Sequence, residues 1–130
     1  ACRSGSKGDF CFGNKLPELN DYGYFKDNCS GIRKVMQLKP NAFGLHDMHG
    51  NAYEWCRDYY EKKAYSVTKA IDPYYGEESD QRNKTKVIRG GDFTSTPANL
   101  RSANRNSLAY AQRELLKTVG FRVIIEINPK

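Results

Sequence analysis

The chain has 130 residues, 38% of them hydrophobic, and carries a formal net charge of +6. That length suits one domain and is short for two ordinary ones. No apolar run reaches bilayer-spanning length, and no charged head followed by an apolar run marks a secretory leader. The charge is uneven. Residues 81–130 hold ten Lys or Arg against three acids, leaving eleven basic and twelve acidic residues upstream. The arginines stand beside glycines and asparagines and form no basic cluster with exposed aromatics, so nucleic acid is not expected as a partner.

In chain order, residues 1–30 are glycine-rich loop with short extended pieces anchored by Tyr22, Tyr24 and Phe25. Residues 35–38 are a strand candidate stopping before Pro40. Residues 41–60, NAFGLHDMHGNAYEWCRDYY, are the densest stretch in aromatics and glycine. Gly50-Asn51 reads as a tight corner with positive φ, leading into a short strand or irregular run over residues 51–60. Asp72, Pro73 and Gly76 mark a turn, and residues 77–84 an exposed polar loop. Residues 86–89 predict a strand entering Gly90-Gly91, and residues 101–104 admit another. Residues 109–117 admit a short helix. Residues 121–127 are the clearest strand, because Val123, Ile124 and Ile125 are all β-branched. Together these predict a loop-rich, irregular α+β or mainly β domain.

Several residues invite chemistry, each with a plainer reading. Asp47 and Glu54 flank the corner and could supply oxygens to a hard cation, together with main-chain carbonyls. They could equally accept backbone hydrogen bonds and hold the turn. His46 and His49 have no third ligand nearby in sequence and are expected to be structural. Trp55 and Cys56 are expected in the core. Cys2, Cys11, Cys29 and Cys56 show no zinc spacing, and a Cys2–Cys11 disulfide and free thiols both remain open. Arg89, Arg101, Arg105 and Arg122 are expected to tie loops to carboxylates and carbonyls, with an anionic ligand the sharper alternative. No phosphate-binding loop, dinucleotide fingerprint, serine-hydrolase elbow or zincin helix is present.

NAFGLHDMHGNAYEWCRD resembles the signature of the formylglycine-generating enzyme, or sulfatase-modifying-factor, family. VIRGG, RSANRN and GFRVI match later segments in order, and ACRSG followed by FGN resembles an upstream piece. The resemblance implies the family's irregular C-type-lectin-like fold as a single domain over residues 1–130, without the usual N-terminal portion. It also implies a structural calcium ion held by the side chains of Asp47 and Glu54 and the carbonyls of Gly50 and Ala52. A second family calcium site is not expected, because its asparagine is absent near Gly23. The family's catalytic cysteines correspond to Pro97 and Ser102, so its copper–thiol chemistry is not expected to carry over. The iron-binding helical domain of the sulfoxide-synthase branch is missing too.

A third branch fits better. The framework around Arg89-Gly90-Gly91, RSANRN and Gly120-Phe121-Arg122 resembles the variable proteins of diversity-generating retroelements. That likeness implies a non-enzymatic domain binding a protein or cell-surface ligand. Its recognition surface would comprise Asp92, Phe93, Thr94, Ser95 and Thr96, then Ser107, Leu108, Ala109, Tyr110, Gln112, Glu114, Leu115, Leu116, Lys117 and Thr118. A virion or cell-surface setting, with phage-type receptor binding, follows by the same analogy, and oligomer formation is left open. The rival readings are an enzyme or enzyme remnant of the family and a structural accessory subunit.

Overall fold

The computed structural model describes residues 1–67, 85–109 and 115–125. Of Tyr65, Val67, Leu115 and Leu116 only the backbone is described. The turn expected around Asp72 and the polar loop over 77–84 lie outside these residues.

Four strands form one mixed sheet in the order β3-β2-β1-β4. β1 is Tyr53–Tyr59, β2 Thr85–Arg89, β3 Asn106–Ala109 and β4 Val119–Gly120. β1 and β2 are antiparallel, with Glu54 opposite Arg89 and Trp55 opposite Ile88. The register then shifts, so that Tyr59 faces Lys86. Four steps along β1 thus cover two along β2, the sign of a bulge that bends the strand. β2 and β3 are antiparallel in continuous register, whereas β4 runs parallel to β1. The β-branched Thr85, Val87 and Ile88 suit β2 to this central position. One short helix, α1 (Ala64–Val67), and three 3-10 turns, Leu16–Asp21, Pro97–Leu100 and Leu115–Thr118, complete the described elements.

The core is small. Phe10, Leu19, Phe25 and Leu100 are buried together, with Phe12 packed against them. Val87, Ile88 and Leu108 are buried on the sheet. Phe10 stacks on Phe12 at 5.1 Å, and Phe12 on Tyr22 at 4.7 Å. Both phenylalanines meet His49 edge-on.

Polar side chains do much of the remaining work. Asn41, buried, accepts from the Phe43 and Leu45 amides and donates to the carbonyls of Ala1 and Cys2. His49 is fully buried. Its Nδ1 lies 2.8 Å from the Leu100 carbonyl, while Nε2 accepts the Cys11 amide at 3.1 Å. One ring nitrogen thus faces a main-chain acceptor and the other a main-chain donor, the pairing that suits the Nδ1–H tautomer. Each of the four arginines grips main chain or carboxylate. Arg89 reaches the carbonyls of Ala103 and Asn104, Arg101 that of Ala98, and Arg105 that of Glu61.

Four sequence expectations change. Residues 35–38 form a turn in which Met36 has φ 62°, so no strand forms. Residues 101–104 also turn, and the strand begins at Asn106. Trp55 and Cys56 are half-buried on β1 and sit outside the core cluster. Over residues 121–125 strand-forming side chains are present, but among the described residues no strand pairs with them and pairing ends at Gly120; residues 126 and 127 of the expected strand lie outside the described residues.

The corner at Gly50 should be intolerant. Its φ is +107°, and an added Cβ would sit 2.1 Å from the Tyr24 carbonyl oxygen. Gly50→Ala is expected to cost about 2–5 kcal/mol, and Leu100→Ala about the same through loss of core volume. Urea unfolding midpoints of the two variants against the parent chain check both.

Candidate functional site

The residues expected to surround a cation do come together. Asp47, Gly50, Ala52 and Glu54 border one cavity of about 420 Å³, with Val35, Met36, Leu45, Phe121 and Arg122 among its other walls. Its backbone is unusual. Met36, Asp47 and Asn51 have φ of 62°, 56° and 67°, a region L-residues seldom occupy, and Gly44 and Gly50 are also left-handed. Such conformations persist only where surrounding bonds hold them.

Those bonds are specific. The Asn51 amide donates to the Tyr24 carbonyl, and the Gly50 amide to that of Gly90. The Asn51 side chain accepts the Arg33 amide at 2.8 Å and donates to the Arg33 carbonyl at 3.1 Å. Asp47 accepts the Met36 amide at 2.9 Å. Arg122 lies across Glu54, its Nε 2.6 and 2.7 Å from the two carboxylate oxygens. Its Nη2 donates to the His46 carbonyl at 2.7 Å.

Two carboxylates and two carbonyls around one cavity form the oxygen-only donor set that a hard cation takes. The donors therefore fit calcium in kind, with a condition that spacing could not reveal. The Arg122 guanidinium engages both oxygens of Glu54, and an ion taking Glu54 must displace it. The Gly50 carbonyl also accepts the Ala52 amide at 2.9 Å. Among the described residues no three His, Cys, Asp or Glu side chains group as metal ligands, so main-chain oxygens must complete any shell.

The residues expected to form a recognition surface divide. Asp92, Ser95 and Leu108 are buried, which corrects their place on that surface. Asp92 Oδ1 accepts the Thr94 amide at 3.0 Å and the Thr94 and Ser95 hydroxyls at 2.9 and 2.8 Å. Ser95 Oγ, its own hydrogen given to Asp92, accepts from Tyr53 Oη at 3.2 Å. These side chains brace the loop from within, and Leu108 packs beneath the sheet. Phe93, Ser107, Ala109 and Thr118 are partly exposed, while Thr94, Thr96 and Lys117 are exposed. Tyr110, Gln112 and Glu114 lie outside the described residues, as do the side chains of Leu115 and Leu116. Strand register draws the segments together. The start of β1, the end of β2, the start of β3 and β4 lie at one end of the sheet. The 92–96 loop and Thr118 therefore share that end with the cavity.

The four cysteines are free thiols, so the alternative of a Cys2–Cys11 disulfide is not realised. Cys2 Sγ instead lies 3.4 Å from Ser102 Oγ and 3.6 Å from the Met48 carbonyl, against the His49 ring. Cys2 Sγ lies 3.9 Å from each ring nitrogen of His49, and both nitrogens have closer main-chain partners. Burial pushes the Cys2 thiol up, offset in part by the Ser102 hydroxyl and Arg89. Burial likewise raises Cys56, offset in part by Arg89. A raised thiol is protonated and weakly nucleophilic near neutral pH. Alkylation of Cys2 and Cys56 by iodoacetamide should therefore lag behind a free thiol at pH 8 and accelerate only at more alkaline pH, as peptide mass mapping would show.

Comparison with known proteins matches this geometry to a family. Residues 1–127 match the sulfatase-modifying factor enzyme 1-like domain. The chain belongs to that family. It is 38% identical over 97 residues to the serine/threonine-protein kinase pkn1 of Chlamydia pneumoniae, covering 72% of this chain and 14% of that protein. It is 30% identical over 79 residues to the formylglycine-generating enzyme of Streptomyces coelicolor, covering 61% of this chain and 23% of the enzyme. Treponema denticola variable protein 1 superposes with a TM-score of 0.74 at 26% identity, over 92% of this chain and 41% of that one. PvdO from Pseudomonas aeruginosa superposes with a TM-score of 0.70 at 31% identity, over 83% and 42%. The chain thus spans less than half the length of each of these proteins.

Proposed function

We propose that this domain binds a ligand without catalysing a reaction, and displays a diversified surface as variable proteins of diversity-generating retroelements do. The observation carrying this reading is the internal division of the 92–96 loop. Asp92 and Ser95 are buried and hydrogen-bonded to each other, while their neighbours Phe93, Thr94 and Thr96 are partly or fully exposed. A loop braced from within can change its outward side chains at little cost to the fold. The close superposition on Treponema denticola variable protein 1 supports the same reading. The ligand would be a protein or other cell-surface molecule, met by Phe93, Thr94, Thr96, Ser107 and Lys117, with Phe93 as the apolar anchor.

Sequencing the gene's neighbourhood tests this. The expected result is a near-identical copy of the segment coding for residues 89–122 beside a reverse transcriptase gene. Its differences should fall mainly at adenines, altering codons 93, 94 and 96 and sparing Asp92, Ser95, Leu100 and Leu108. Absence of such a copy, or differences spread evenly over buried codons, would sink the reading.

We also propose that Asp47, Glu54 and the carbonyls of Gly50 and Ala52 hold a calcium ion with a structural role. Bound there, it would bridge the Gly50-Asn51 corner to β1. A ligand that binds only the folded chain stabilises it by about 2.7 kcal/mol at a hundred times its dissociation constant. Millimolar calcium should therefore raise the melting temperature of the parent chain, and Glu54→Gln should abolish the rise. An equal rise in both chains, or none in the parent, would remove the ion from this site.

A further inference from the structure

We propose that Tyr53 is the positioning residue of the recognition surface, a side chain of β1 whose hydroxyl fixes the shape of the 92–96 loop through Ser95 and Asp92. This role presupposes the ligand-binding reading and names what holds its loop in one arrangement.

The hydrogen bonds converge on one oxygen. Ser95 Oγ gives its hydrogen to Asp92 Oδ1 at 2.8 Å. It accepts the Asp92 amide at 3.1 Å and the Tyr53 hydroxyl at 3.2 Å. A serine hydroxyl has one hydrogen and two lone pairs, so these three bonds exhaust it. Asp92 Oδ1 in turn takes the Thr94 amide at 3.0 Å and the Thr94 hydroxyl at 2.9 Å. Asp92 and Ser95 are buried, where an unmade hydrogen bond is costly. Tyr53 joins this network from outside the loop, 42 positions from Ser95.

The loop's main chain is held at two other points, by the Phe93 amide on the Asn51 carbonyl and the Lys26 amide on the Ser95 carbonyl. Neither bond reaches the side-chain hub between them; the Tyr53 hydroxyl does. The main chain of Tyr53 also pairs with Val119 of β4, directly after Thr118. One residue thus touches both segments expected to vary, the 92–96 loop through its hydroxyl and the end of the 115–118 turn through its backbone. Tyr53 lies outside the 89–122 segment, so it stays constant while that segment is rewritten. A loop held in shape before its ligand arrives loses less freedom on binding.

Hydrogen exchange followed by NMR on the 130-residue chain tests this without any ligand. Tyr53→Phe keeps the ring and removes the hydroxyl. The amides of Asp92, Thr94 and Ser95 should then exchange about three- to tenfold faster, as loss of one hydrogen bond gives, while those of β2 keep their rates. Ser95→Ala should speed the same amides. Tyr53→Phe added to Ser95→Ala should change them no further, because the tyrosine hydroxyl acts through the serine. Loop amides that keep their parent rates in Tyr53→Phe overturn the proposal. So does an equal acceleration across β2, the mark of general loosening, or a full additive effect on top of Ser95→Ala. A gene neighbourhood without the copied segment would instead strike the ligand-binding reading itself and leave these exchange rates as they are.

Discussion

The Gly50-Asn51 corner is the constraint on which the other loops depend. Two consecutive left-handed residues turn the chain within hydrogen-bonding reach of three otherwise separate segments. Their amides reach Tyr24 and Gly90, the Asn51 carbonyl accepts the Phe93 amide, and the Asn51 side chain clasps both main-chain groups of Arg33. An asparagine is the side chain that can do this, since its amide both donates and accepts and it tolerates left-handed backbone better than most. Glycine before it is required by space, because the Tyr24 carbonyl occupies the position a Cβ would take.

Four buried apolar side chains form the central cluster, and much of the remaining organisation falls to buried polar groups serving main-chain partners. Asn41, His49, Asn51 and Asp92 each make two or more hydrogen bonds from within. No buried side-chain nitrogen or oxygen among the described residues lacks a partner. In such a fold a buried polar residue is costlier to replace than an exposed apolar one, because its loss strands several backbone groups at once. Of the outward residues in the 92–96 loop, Thr94 shares in this bracing through its hydroxyl bond to Asp92.

One end of the sheet gathers the features of interest. The braced 92–96 loop, the cavity bordered by Asp47 and Glu54, and the continuation of β4 all lie where the register of β1 with its two neighbours brings them together. Arg122 connects the last two. By pairing with Glu54 it holds the departing chain against the domain.

The sequence alone determined the family, the positive-φ corner, β2 and the use of arginines as loop ties, and left β1 open between a strand and an irregular run. These follow from local chemistry: glycine and asparagine at a turn, β-branched runs, and four motifs in order. It also brought Asp47, Gly50, Ala52 and Glu54 into one group, which the fold places around one cavity. Tertiary structure decided the rest. Whether a β-branched run becomes a strand depends on a neighbour to pair with, and residues 121–125 have none among the described residues. Whether a loop residue faces out or in depends on what lies beneath it, so Asp92, Ser95 and Leu108 went inward while Phe93 and Thr94 did not. The partner that Glu54 would meet, Arg122, stands 68 positions away. Only packing could bring that charge to the carboxylate.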